Sequence, residues 1–319
     1  MLKGMMATAG AMALCLLWPS VLLFWLLRSQ AQSRVYLASL SALAFVVLVV
    51  LSRSILGAWY VVGTFWPWVL GVALLGILIQ RARRGIPRQW LPSSGRESFF
   101  LLLVVLLLAM WSLPLPFLMR AKAYEGEPVQ LSSPLGGANF FVMGGGANWS
   151  VNHHAFISHQ RYALDIMQQD ALGFRASVMF PSDTSDFYAF GARIVAPCDG
   201  EVLATKDGLP NRMLMDPDTE NPFGNHVVLF CQGHSVLLGH MQPGSVAVSV
   251  GDDVKAGQPL GLVGNSGSTL EPHLHIHAVQ GRHDDGRGTA SPLMIGGKLL
   301  AKGDTLISLR DPGRILRHN

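Results

Sequence analysis

The pattern of apolar and polar positions divides the 319-residue chain at about Arg120. Before that point, residues 5–27, 35–52, 54–80 and 98–119 run without a charge. Each run is near the ~20 residues needed to cross a bilayer as a helix. The pattern therefore predicts an all-α region of four transmembrane helices over residues 1–120. Trp18, Trp25, Trp59, Trp66, Trp68 and Trp111 suit helix ends and interfaces. A cleaved signal peptide is a poor reading of the first run: it has a single Lys3 before a long apolar stretch, and three more such stretches follow.

After Arg120 the pattern changes to short β-like runs at 139–143, 193–196, 201–205, 226–231, 235–239, 261–263 and 273–279, broken by Gly, Pro, Asn and Asp. Helical periodicity is weak. An all-β sandwich or barrel-like domain over residues 121–319 is the expectation. Turn segments at 196–202 and 250–261 also occur in biotinyl and lipoyl carriers, but no lysine sits at a hairpin tip in the carrier arrangement.

Charge sharpens the division. Through Arg120 there are ten basic residues and one acid, Glu97, a net of +9; beyond it fourteen basic and nineteen acidic residues give −5, and the whole chain is +4. The soluble part has no basic excess, which argues against a nucleic-acid partner. Arg28, Arg34, Arg81, Arg83, Arg84, Arg88 and Arg96 lie in the loops after the first and third runs. Lys3, Arg53, Arg120 and Lys122 lie on the other side. Positive loops stay in the cytoplasm, so the soluble domain is expected outside it. With no ionisable group inside a run, the helices read as an anchor in the lipid bilayer rather than an ion pathway. Of three cysteines, Cys15 is in the first run; Cys198 and Cys231 either pair in an oxidising compartment or stay separate buried thiols.

The chemistry lies in the histidines. All eleven except His318 fall between His153 and His283. In Glu271-Pro-His273-Leu-His275-Ile-His277 a strand would turn His273, His275 and His277 to one face. Such a row suits metal ligation or proton transfer, the bland alternative being a wet strand face. His240 ends an apolar run in Leu237-Leu-Gly-His240-Met, where a lone structural histidine is as reasonable as a cleft residue. Asp165 lies inside an apolar run after Gln160-Arg-Tyr-Ala-Leu, and a buried Asp is costly unless paired or metal-bound; a turn or cap carboxylate is the alternative.

Pro272-His273-Leu-His275, preceded by Gly264-Asn-Ser-Gly-Ser-Thr and with Gly239-His240-Met upstream, resembles the signature of lysostaphin-type zinc metallopeptidases, bacterial enzymes that cut peptide cross-links in peptidoglycan. The resemblance covers about residues 140–277. It implies Zn2+ as cofactor, peptidoglycan peptides as substrate, Asp165 and His275 as ligands, and His240 and His273 lining the reaction centre. The location implied is the bacterial inner membrane, with the domain on the periplasmic side.

One position departs from that family. The usual first ligand, a His four residues before the Asp, is Arg161 here. The variant Asn-x-His, five residues, then Gln-Arg-Tyr-Ala-x-Asp resembles a subgroup in which an earlier His replaces it. His154 fits that slot; His159 and His153 compete, with His153 expected to face away from His154 if the segment is extended.

Two His and one carboxylate with an open fourth position is a catalytic zinc pattern. The implied roles are His273 as general base and His240 as oxyanion stabiliser, with Glu271 and His277 as supporting groups. The competing reading, favoured by Arg161, is an inactive domain that binds peptidoglycan or regulates a cell-wall hydrolase. The charge-free spans count against a transporter or sensor with an outer β-domain, and a phosphoryl carrier would need the cytoplasm. No GxxxxGK[ST] or GxSxG motif is present. The 207–225 segment is expected to be a loop beside the cleft.

Overall fold

In the computed structural model, which describes residues 2–136 and 140–306, the apolar runs fold as helices and the punctuated runs as strands. The helices are α1 (Leu2–Met12), α2 (Trp18–Arg28), α3 (Arg34–Arg53), α4 (Trp59–Val62), α5 (Trp66–Arg84), α6 (Gly95–Ser112) and α7 (Leu115–Met119). A single π turn, Ala13–Leu17, joins α1 to α2. Ser33 and Ser94 start α3 and α6 as N-caps, their side chains accepting from Tyr36 N and Glu97 N.

Among the described residues, three helical runs are long and apolar enough to cross a membrane: Met6–Arg28, Arg34–Arg53 and Gly95–Met119. The expected third span, 54–80, is not one helix. Gly57 lies so close to the Leu51 carbonyl that no Cβ would fit, and Gly63 has φ +103°. The chain therefore turns between α3 and α5, and α5 starts at Trp66, with Pro67 in its first turn, and ends on Arg81, Arg83 and Arg84. The helices bury Leu22, Leu26, Leu40, Leu43, Val47 and Leu51 against one another.

Six strands form most of the large sheet: β1 (Phe140–Gly144), β2 (Leu164–Gln168), β3 (Gly200–Lys206), β4 (Asn225–Cys231), β5 (His234–Met241) and β6 (Leu274–Gln280). The expected start of β1 at Asn139 lies outside the described residues. Their order in space is β1-β2-β6-β5-β4-β3, every neighbouring pair antiparallel, with residues 305–306 beside β1, 253–254 beside β3 and 290–291 also pairing β6. Two three-stranded sheets pack over one side, and Val129, Ile194, Leu260, Leu293 and Ile295 from them share a core with Val142, Ile166, Leu238 and Ile276. The domain is β-rich, as the short runs broken by turn residues suggest. Cys198 and Cys231 are disulfide-bonded.

The domain docks on the helix ends opposite the arginine-rich loops. Ile55 N donates to Ser150 O at 2.7 Å, Arg175 N to Tyr60 O at 3.0 Å and Ala147 N to Ala121 O at 2.7 Å. Within the sheet, His275 on β6 pairs with Asp165 on β2 and with Gly239 on β5. That register brings the three sequence signals to one place.

Candidate metal centre and active site

Asp165 is the hub of the site. Its side chain is almost fully enclosed, and its Oδ2 lies 3.0 Å from His154 Nε2 and 3.3 Å from His153 Nε2. Its Oδ1 lies 3.0 Å from His275 Nδ1 and 3.5 Å from His273 Nε2. Burial alone would raise its pKa, but His154 and His273 outweigh that and hold the carboxyl well below its usual range.

The tautomer of His275 can be worked out from its neighbours. Gly286 O can only accept, so at 2.8 Å it takes the Nε2–H of His277. Burial pushes His277 down to about 4, so the ring is neutral near pH 7 and its Nδ1 is an acceptor. His275 Nε2, 3.0 Å away, therefore donates to it. What remains on His275 is the Nδ1 lone pair, facing the Asp165 carboxylate at 3.0 Å. Two acceptors in contact need a cation between them, and burial holds His275 itself neutral, down to about 3. This donor set fits a metal: a carboxylate, a histidine with its ligating nitrogen pre-set, and further imidazoles on the other carboxylate oxygen. Gly286 (φ +67°) lets its carbonyl reach His277, since a Cβ there would lie 2.7 Å from Leu237 Cδ1.

The first histidine of the site comes from a turn rather than a strand. Asn152 Oδ1 accepts from His154 N at 2.9 Å and starts a 3₁₀ turn, His153–Phe156. Asn152 Nδ2 donates to Gly146 O, Arg161 O and Ala163 O, tying the turn to the start of β2. Because the segment is helical rather than extended, His153 and His154 do not face apart; their ring centroids are 4.0 Å apart. His153, His154 and Asp165 together form a group able to hold an ion. His154 is buried, whereas the His153 side chain is 55% exposed. His159 approaches Gln160 and His277 instead and makes no contact with Asp165. Arg161, at the family's usual histidine position, points to Glu125 at 3.5 Å.

His240 and His273 complete the pocket, their ring centroids 4.8 Å apart. His240 Nδ1 donates to Ser266 O and His273 Nδ1 donates to Glu271 O, each at 2.8 Å. Both rings, when neutral, thus offer an Nε2 lone pair. Burial, with His273 and His275 nearby, drives His240 well below its usual pKa. For His273 burial also lowers the pKa, but the Asp165 charge and hydrogen bond prevail and raise it. The expected oxyanion-donor role of His240 requires an Nε2–H, hence a proton that burial opposes. Its φ of +64° is unusual for a non-glycine residue and is held by this crowded corner. Ser266 Oγ locks the corner by donating to Met241 O at 2.7 Å and accepting from Asn225 N at 2.9 Å.

The cavity around these groups measures about 390 Å3. One wall is the sheet with its histidines. The helical region also lines the cavity, through Ala7, Thr8, Ala11, Ile55, Ala58 and Val61. Leu214 and Met215 from the 207–225 segment also line it, placing that loop beside the cleft as expected. Sequence reading missed Arg175, which pairs with Glu271 at 2.7 Å beneath His273, and Lys302. Neither carries a motif, since both reach the site from loops.

Residues 183–286 match peptidase family M23. The match covers about a third of the chain. His240, His273 and His275 lie inside the match; His154 and Asp165 precede it. No curated protein matches the chain. Among solved structures, a zinc-containing peptidase from Vibrio cholerae is 22% identical over 32% of this chain and 26% of that one, with a TM-score of 0.24. Lysostaphin from Staphylococcus simulans is 23% identical over 41% and 40%, at 0.27. Helicobacter pylori Csd3 is 18% identical over 58% and 37%, at 0.29. The chain thus spans well under two thirds of these proteins, and scores this low bear on neither fold nor function.

Proposed function

We propose that the protein is a membrane-anchored zinc metalloendopeptidase that hydrolyses peptide bonds in bacterial peptidoglycan, working from the outer side of the inner membrane. The observation that carries this reading is the Asp165 hub, where His275 presents a lone pair already fixed by His277 and Gly286. In this reading His154, Asp165 and His275 hold the metal. When bound, zinc polarises the scissile carbonyl and acidifies a water.

The chain's own groups would do the rest. His273, held by Glu271 O, accepts a proton at Nε2 and returns it to the leaving amine. His240 presents a second Nε2 to the same space and becomes a donor to developing negative charge only after it takes a proton. The apolar helical wall and the Leu214–Met215 loop keep water out of the centre.

Three helical runs supply the anchor, and α5 is read as a fourth crossing whose final arginines mark the cytoplasmic side. The domain docks at the helix ends away from those arginines, which agrees with an extracytoplasmic site.

The test is digestion of purified peptidoglycan by the full chain in detergent, wild type against His273→Ala. Release of new amine ends by the wild type and at least a hundredfold less by the variant is expected. Equal release, or none from either, supports the second reading: a non-catalytic envelope-binding domain, for which Arg161 in the usual ligand position is the specific observation.

A further inference from the structure

The cavity that holds the histidines also contains a cation that forms no ion pair among the described residues. Lys302 lines the cavity and is only 7% exposed. Its backbone is fixed, with Lys302 N donating to Gly145 O at 2.9 Å. Its ammonium lies 5.3 Å over the Tyr60 ring, and it makes no ion pair and no side-chain hydrogen bond among the described residues.

The nearby carboxylates are committed elsewhere. Asp304 pairs with Lys122 at 2.6 Å, Glu271 pairs with Arg175 at 2.7 Å, and Asp165 is ringed by four histidines. A second polar group of the same cavity is also unpartnered: Thr8 Oγ1, on α1, is buried without a hydrogen bond. A buried hydroxyl without a partner, and an ammonium on a mostly buried side chain without an ion pair, are costly to keep unless a ligand completes them. The ring face of Tyr60 offsets only part of the ammonium's cost.

We propose that Lys302, assisted by the Thr8 hydroxyl, is an anion subsite that takes a free carboxylate of the substrate close to the scissile bond. The proposal rests on the peptidase reading of the same cavity. One point charge and one hydroxyl suit a carboxylate; a phosphate group calls for more donors, such as an arginine fork or a nest of backbone amides, and the remaining arginine is occupied by Glu271. Burial lowers the Lys302 pKa to about 8, which still leaves the ammonium form ahead near pH 7. The subsite would be built jointly by the M23 domain and the first helix. It would favour peptides with an acid group next to the cut over uncharged ones.

Binding to the full chain in detergent tests this, with His273→Ala as background so that nothing is turned over. The probes are a peptidoglycan stem peptide with free carboxylates and the same peptide with every carboxylate amidated. The acid form should bind about tenfold tighter, the worth of one charge-assisted contact. Lys302→Gln should abolish that preference and Lys302→Arg retain part of it, with zinc content unchanged in both. Equal binding of the two peptides, a preference that survives Lys302→Gln, no binding of either, or displacement by inorganic phosphate but not by acetate would each overturn the subsite. Hydrolysis by the wild type is scored separately: failure to cut either peptide counts against the peptidase reading, while the acid preference in binding would still stand.

Discussion

The two sides of the proposed metal centre are built differently. Asp165 and His275 sit opposite each other on neighbouring strands, so sheet hydrogen bonds fix them together. His153 and His154 sit on a 3₁₀ turn held mainly by the Asn152 side chain. The strand side tolerates little change because moving one residue shifts the register of a buried sheet. The turn side offers two imidazoles within reach of the same carboxylate oxygen. The proposed ligand set is thus split between a rigid half and an adaptable half, and Arg161, the departure from the expected pattern, belongs to the adaptable half.

The largest expected effect lies on the rigid side. Asp165→Ala removes the group that four histidines face, and bound zinc should fall below a tenth of the wild-type value by elemental analysis. On the turn side, His154→Ala should lower zinc affinity more than His153→Ala, because His154 is buried and His153 half-open. Competition with a chelator measures both; a larger loss in His153→Ala would reverse the assignment. Arg175→Ala should cost about 2–3 kcal/mol in unfolding, since it leaves the mostly enclosed Glu271 carboxylate without its partner at 2.7 Å. Denaturant unfolding checks this.

A smaller effect concerns pH. His277 is near 4 in the folded chain, against 6.5 when unfolded. Between those values the unfolded chain binds the proton that the folded chain refuses, so stability is full above about pH 6.5 and falls as pH drops towards 4. In metal-free protein His277 should contribute roughly 3 kcal/mol of that loss. His277→Gln should flatten this window in thermal melts, and an unchanged slope would mean the ring is not held neutral.

The same contrast explains what the sequence made legible. The β-rich domain follows from short runs broken by turn residues, the His-x-His face from two-residue alternation, and Asp165 from a carboxylate set inside an apolar run. His153 beside His154 does not, because an Asn-initiated turn has no periodic signal and extended geometry would have parted the rings. The span expected at 54–80 failed for a related reason: its composition is apolar throughout, and only the close approach at Gly57 and the φ of Gly63 reveal the turn. Arg175 and Lys302 were invisible because loops bring them in from distant parts of the chain. That His277 fixes the tautomer of His275 depends on Gly286, nine residues further on.

The central claim is that Asp165, His154 and His275 hold one zinc, and metal stoichiometry of the detergent-purified full chain tests it most directly. The account predicts one zinc per wild-type chain and almost none in His275→Ala, with the variant still folded by circular dichroism. A wild type without zinc, or a His275→Ala variant that keeps it, would contradict the account.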